Sequence, residues 1–235
     1  MSAGSLQELE GIVDLPDRRW DLQTIAEAIP LVRAFSNADG QLRFRVHAMA
    51  QAVFACPTFA SLLPTNAGEL RLRVMGHLSK TARYPRLQTL LTQLCAADEI
   101  TDWLEDSGKT VLLAGELGLL RCALARVPQT VSVNRPRLLL LRAALLRETG
   151  EYADALRQAR VVRDVAEHEG ERQLLVESML LIVRLAVDTG DAVTTRDVSL
   201  QLLSFVEHGQ RALACSYLAA AAGWLGDAGE ARAWG

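Results

Sequence analysis

Little in this chain's composition invites chemistry. Its four cysteines, Cys56, Cys95, Cys122 and Cys215, are scattered through 235 residues with no C-x-x-C pair and no Cys/His cluster. They read as small buried hydrophobes, which excludes a disulfide framework and a zinc site. Lysine is nearly missing: Lys80 and Lys109 are the only two, so almost every basic residue is arginine. The 25 Lys and Arg are outnumbered by 28 Asp and Glu, a net charge of -3. That balance argues against a phosphate-binding surface, and direct nucleic-acid contact by this chain is not expected. The apolar runs are cut by Glu116, Arg121, Arg142 and Arg184 before they reach membrane-spanning length, and MSAGSLQELE has neither a basic leader nor an apolar core. A cytoplasmic location with no membrane partner is expected.

What the chain does have is a period. Gly115, Gly150, Gly190 and Gly226 recur at separations of 35, 40 and 36 residues, each between two Leu/Ala-rich stretches of helical pattern. A helix pair repeated at this spacing cannot bury its apolar face alone and must lean on the next pair. Seven residues before these glycines stand Gly108, Ala143, Val183 and Ala219, and a weaker unit around Arg83 places Gly76 there. Small residues at that position let paired helices approach closely. In the unit around Gly150, Tyr152 and Ala155 follow as the bulky and small positions of a tetratricopeptide second helix; the later units keep Ala192, Ala228 and Ala231 without the aromatic.

Residues 1–57 differ. DLQTIAEAI follows an N-cap at Asp21 and stops at Pro30, and Asn37-Ala38-Asp39-Gly40 is a turn cluster. QLRFRVH then alternates, Leu42, Phe44 and Val46 against Arg43, Arg45 and His47, which predicts a β-hairpin followed by a helix in AMAQAVFA. With LQELEGIVDL as a short first helix, the order helix, helix, hairpin, helix outlines a small winged-helix domain. With five Arg against seven Asp and Glu, its wing is not expected to sit on DNA. Pro57 and Pro64 bracket a linker at 58–65, and from 66 to 235 the pattern is helical throughout. The expected fold is therefore mainly α: a winged-helix domain, then a superhelix of tetratricopeptide-like hairpins.

Candidate chemistry dissolves on inspection. Ser107-Gly108-Lys109-Thr110 resembles the tail of a phosphate-binding loop, but Trp103 stands where the required glycine belongs and WLEDSG is helical in character. His47, His77, His168 and His208 have no second ligand within helical reach, and no Ser or Cys has a neighbouring base. No catalytic residue, metal or cofactor is assigned, and an enzyme is not expected. Arg142, Glu177 and Arg184 interrupt apolar runs of the first helices, so they are the candidates for a ligand or partner groove. Arg43, Arg45 and His47 are candidates for an interdomain contact. Trp103, Tyr217 and Trp224 read as packing residues. After Gly226 only DAGEARAWG remains, about two turns of a second helix. The preferred expectation is a piece of a longer protein, the alternative a cap formed by Trp234.

Together, IPLVRAFSNADGQLRFRVHAMAQAVFA and the segment from Leu104 to Ala159 resemble MalT-like, ATP-dependent LuxR-family transcriptional regulators. The first matches a winged-helix hairpin whose strand ends in His before a helix. The second carries the phrase that opens the family's repeat domain, from Gly115 through Leu120 and Leu124 to Pro128, then Pro136 and Leu138. The resemblance implies a sensor and coupling region that takes a small-molecule inducer or a regulatory protein on the repeats. It places ATP hydrolysis and DNA binding, which the family performs at its two ends, outside these residues. Self-association is left open, and the competing expectation is a free-standing scaffold that holds a peptide or partner protein.

Overall fold

The computed structural model describes residues 4–5, 32–36, 42–46, 67–128, 130–131, 134–206 and 208–235. Within them the chain is mainly helical. By contacts it divides into two compact units, Met1–Ser107 and Gly108–Gly235. The helices expected on either side of the hairpin and the linker at 58–65 lie outside the described residues.

The first unit holds three strands, β1 (Gly4–Ser5), β2 (Val32–Ser36) and β3 (Leu42–Val46). β2 and β3 pair antiparallel from Val32 opposite Val46 to Ser36 opposite Leu42, and β1 pairs along the other edge of β3. No alternation announces β1, since two residues are too few to show it. The unit also holds α1 (Ala67–Lys80), α2 (Tyr84–Gln93) and the start of α3 (Ala97–Leu113). Met75, Leu87, Leu91, Ile100, Trp103 and Leu104 form its buried interior. Trp103 is 2% exposed, and its indole N–H donates to Ser79 Oγ at 3.0 Å, so the largest side chain is packed without an orphaned donor. Arg71 grips Glu99 with Nε and Nη2, at 2.6 Å for the shorter contact, while Glu99 also accepts the backbone N–H of Ala96 and so caps the start of α3.

The second unit continues from α3 into α4 (Leu117–Arg126), α5 (Pro136–Glu148), α6 (Tyr152–Glu169), α7 (Arg172–Thr189), α8 (Ala192–Leu202), α9 (His208–Trp224) and α10 (Ala228–Trp234). From α5 onward each helix packs against the next. Ala143, Ala155, Val162, Met179, Ile182, Leu202 and Ala214 belong to one continuous core.

One turn repeats through both units. At Gly190, φ is +71°, its N–H donates to Val187 O at 3.1 Å, and the N–H of Asp191 donates to Ala186 O at 2.8 Å. This pair of bonds ties off the last carbonyls of α7 in the Schellman pattern. The same two bonds recur at Gly115, Gly150 and Gly226, all left-handed, and the next helix starts two residues later each time. The frame corrects the position of the weakest unit. Its turn residue is Ala82, not Arg83: Ala82 has φ +53°, its N–H donates to Ser79 O, Arg83 N–H donates to Leu78 O, and α2 begins at Tyr84. The residue after the glycine opens the following helix. Asp191 accepts the N–H of Thr194 and Asp227 that of Glu230, so one acidic residue ends one helix and caps the next.

The small-residue position is only partly a packing device. A Cβ on Gly108 would lie 2.4 Å from Leu141 Cδ2, so glycine there allows close approach. The approach joins α3 and α5, first helices of successive hairpins, whereas the sequence suggested the two helices of one pair. Ala143 and Val183 are fully buried, but a Cβ on Gly76 would meet nothing within 4 Å. Among the cysteines, Cys95 is buried, Cys215 is half-buried and Cys122 is exposed on α4, which corrects the reading of all as interior.

The left-handed turn generates a pair of opposite expectations. Gly190→Ala meets no atom within 4 Å, so its cost is backbone strain alone, about 1 kcal/mol. Ala82→Gly relieves similar strain at an exposed site but frees the unfolded chain, for a net gain of about 0.5 kcal/mol. Urea unfolding of the two variants checks both signs.

Candidate functional site

Counting back from each left-handed residue gives one frame for the first helices α3, α5, α7 and α9. On α7, Gln173, Glu177, Arg184 and Asp188 lie within about 60° of one another at 100° per residue, a single polar stripe. Ion pairs fix two of its members to earlier helices. Lys109 of α3 donates Nζ to Glu177 Oε1 at 2.9 Å, and Gln173 Nε2 donates to the same oxygen at 2.9 Å. Arg147 of α5 donates Nε to Asp188 Oδ2 at 2.6 Å and also holds Glu148.

The charges respond accordingly. Burial pushes the Glu177 carboxyl up, but hydrogen bonds from Lys109 and Gln173 and the positive charges of Lys109 and Arg137 outweigh it and hold the group below its ordinary value. The hydrogen bond to Asp188 raises Arg147 against the opposing effect of burial, and Tyr217 of α9 adds to the raising. Asp191, held by the hydroxyl and backbone N–H of Thr194, is lowered.

The structure treats the expected groove residues differently. Glu177 and Arg184 share the stripe; Arg184 is exposed and has no hydrogen bond or ion pair among the described residues. Arg142 does not join them. It points about 140° around α5 from both Arg137 and Arg147, the residues that act on Glu177 and Asp188. In the turn frame its counterparts are Ser107, Ile182 and Leu218, all buried, so Arg142 is a half-buried cation on the core-facing side. Arg43 stands opposite Phe35 and Ser5 in the sheet and Arg45 opposite Arg33, while His47 lies outside the described residues. Ser107-Gly108-Lys109-Thr110 is interior helix, as the failed loop spacing required. Trp224, read as a packing residue, is 51% exposed at the end of α9 on the same stripe as half-buried Tyr217.

Sequence reasoning missed Lys109, Arg147 and Asp188, because their pairing spans 41 to 68 residues and no local spacing announces it. It also missed a concavity of about 410 Å³ against α6, α7 and the end of α8, with Leu175, Met179 and Phe205 as apolar lining and Glu167 and Gln201 as polar members. Arg172 braces this edge by donating to Phe205 O at 2.9 Å. Among the described residues no group of three or more His, Cys, Asp and Glu is placed to hold a metal, and no helix is long and apolar enough to cross a membrane.

No family model and no curated protein matches this chain. The functional reading therefore rests on the residues themselves.

The Lys109–Glu177 pair yields a pH expectation. A carboxyl whose folded value is depressed contributes stability above its unfolded value, about 4.3, and loses it as pH falls through the folded one. Because the pair is partly exposed, Glu177→Gln costs under about 1 kcal/mol at neutral pH. Chemical unfolding at several pH values should show that difference shrinking below about pH 4.

Proposed function

We propose that this chain is the sensor and coupling region of a MalT-like LuxR-family transcriptional regulator. In this reading 66–235 is a tetratricopeptide-like array that takes a small-molecule inducer or a regulatory protein, and 1–57 is a winged-helix segment that passes the change on. The observation that carries it is the repeated turn, which gives successive first helices one frame, with the polar stripe of Glu177, Arg184 and Asp188 along α7 tied by ion pairs to α3 and α5. Helical hairpins stacked in this way expose a long row of side chains and few enclosed sites, an arrangement suited to recognition. The β2–β3 pairing, where a winged helix carries its wing, is in keeping with the N-terminal part.

Coupling follows from differential affinity. A ligand that bridges two first helices favours the packing in which they stand at the right distance, and shifts the population toward it by no more than its preference for that packing. The second reading, a free-standing scaffold holding a peptide or partner protein, draws on the same stripe and needs no winged helix.

The two readings separate in one set of measurements. The purified chain is expected to hydrolyse no ATP and shift no DNA fragment. A cognate inducer at a hundredfold excess over its Kd should stabilise the protein by about 2.7 kcal/mol, several degrees in Tm. Specific DNA binding by residues 1–57 overturns the regulator reading; stabilisation by peptides and by no small molecule favours the scaffold.

A further inference from the structure

The stripe on α7 has an asymmetry that specifies its ligand. Each of its carboxylates is already engaged: Glu177 by Lys109 and Gln173, Asp188 by Arg147, which also holds Glu148. Its exposed guanidinium, Arg184, is not. The turn frame explains why. Six residues before the left-handed glycine, α5 carries Ala144 and α9 carries Ala220, so the first helices on either side in the frame supply no acid at the position of Arg184. The two ion pairs bound the same stretch: Glu177 lies about 10 Å before Arg184 along α7 and Asp188 about 6 Å after it. A second exposed guanidinium, Arg137, makes no hydrogen bond or ion pair among the described residues and acts on Glu177 only through its charge.

An arriving ligand thus finds vacant donors and occupied acceptors. We propose that this face binds an acidic peptide segment, a carboxylate side chain meeting Arg184, where the planar fork of arginine can hold it through two parallel hydrogen bonds. Arg137 receives a second carboxylate, and the exposed aromatic surface of Trp224 on α9 is available to an apolar side chain. A nucleic acid fits this face less well: its phosphates are closely and evenly spaced, whereas Glu177, Asp188 and Glu148 interrupt the cations here. The inference rests on the reading that the first helices form the recognition face, and it names the chemistry of what they recognise.

Fluorescence anisotropy of the full chain with a labelled peptide of Glu-Leu-Gly repeats tests it. The same peptide with Gln for Glu and a single-stranded oligonucleotide of equal charge serve as competitors. The Glu peptide should bind in a salt-sensitive manner, and Arg184→Glu should weaken it about tenfold, Arg184→Gln less. Arg163→Glu, on α6 at the concavity that lies away from Arg184, should leave binding unchanged. Circular dichroism and Tm establish that each variant is folded. No binding of the Glu peptide, equal binding of the Gln peptide, tighter binding of the oligonucleotide, or indifference to Arg184→Glu overturns the proposal. If a small-molecule inducer still raises the Tm of the Arg184→Glu protein as it does the wild type while the Glu peptide fails, the charge inference is wrong and the recognition reading stands. If no ligand or partner stabilises either protein, the recognition reading itself fails.

Discussion

A helix that stops must dispose of its last carbonyls, and in this protein that necessity organises the rest. Each first helix ends by turning one residue into the left-handed region, so that two backbone N–H groups reach back to the carbonyls left open. The direction in which the chain leaves is then fixed, and the second helix begins two residues on. Because the solution is the same at Gly115, Gly150, Gly190 and Gly226, side chains at equal distances before the turn take equivalent places in the hairpins of the second unit; Ala82 repeats the turn in the first. The row of first-helix side chains is a consequence of how backbone hydrogen bonds are satisfied at helix ends.

Glycine made this legible, since L-residues adopt a positive φ at a cost and the requirement leaves a visible mark at four of the five turns. Ala82 left none. An alanine in the left-handed region looks like any other alanine, and only the hydrogen bonds of Ala82 and Arg83 reveal it. Gly170, also left-handed, ends a second helix, so the glycine period understates how often the device is used.

The candidate site was half legible for a related reason. Glu177 and Arg184 are seven residues apart, close to two turns, and sequence alone puts them on one face. Arg142 was grouped with them because it too interrupts an apolar run, but a run rich in leucine all round does not say which face is inward. Its equivalence to the core residues Ile182 and Leu218 appears only once the turns align the helices. Trp224 and Cys122 were misread on residue type, which says what a side chain prefers and not whether another helix is there to cover it. The ion-pair partners Lys109 and Asp188 needed three dimensions.

The bond from Lys109 to Glu177 skips a hairpin: it leaves α3, passes over α5 and lands on α7. Repeat arrays are commonly treated as chains of nearest-neighbour couplings, in which one unit can fray without consulting any but those beside it. A link to the next unit but one breaks that independence. The α5 hairpin is spanned by a contact in which it takes no part, so loosening it also stretches a bond between its neighbours. The pair is partly exposed and worth under about 1 kcal/mol, so it biases three hairpins toward opening together without locking them into one unit.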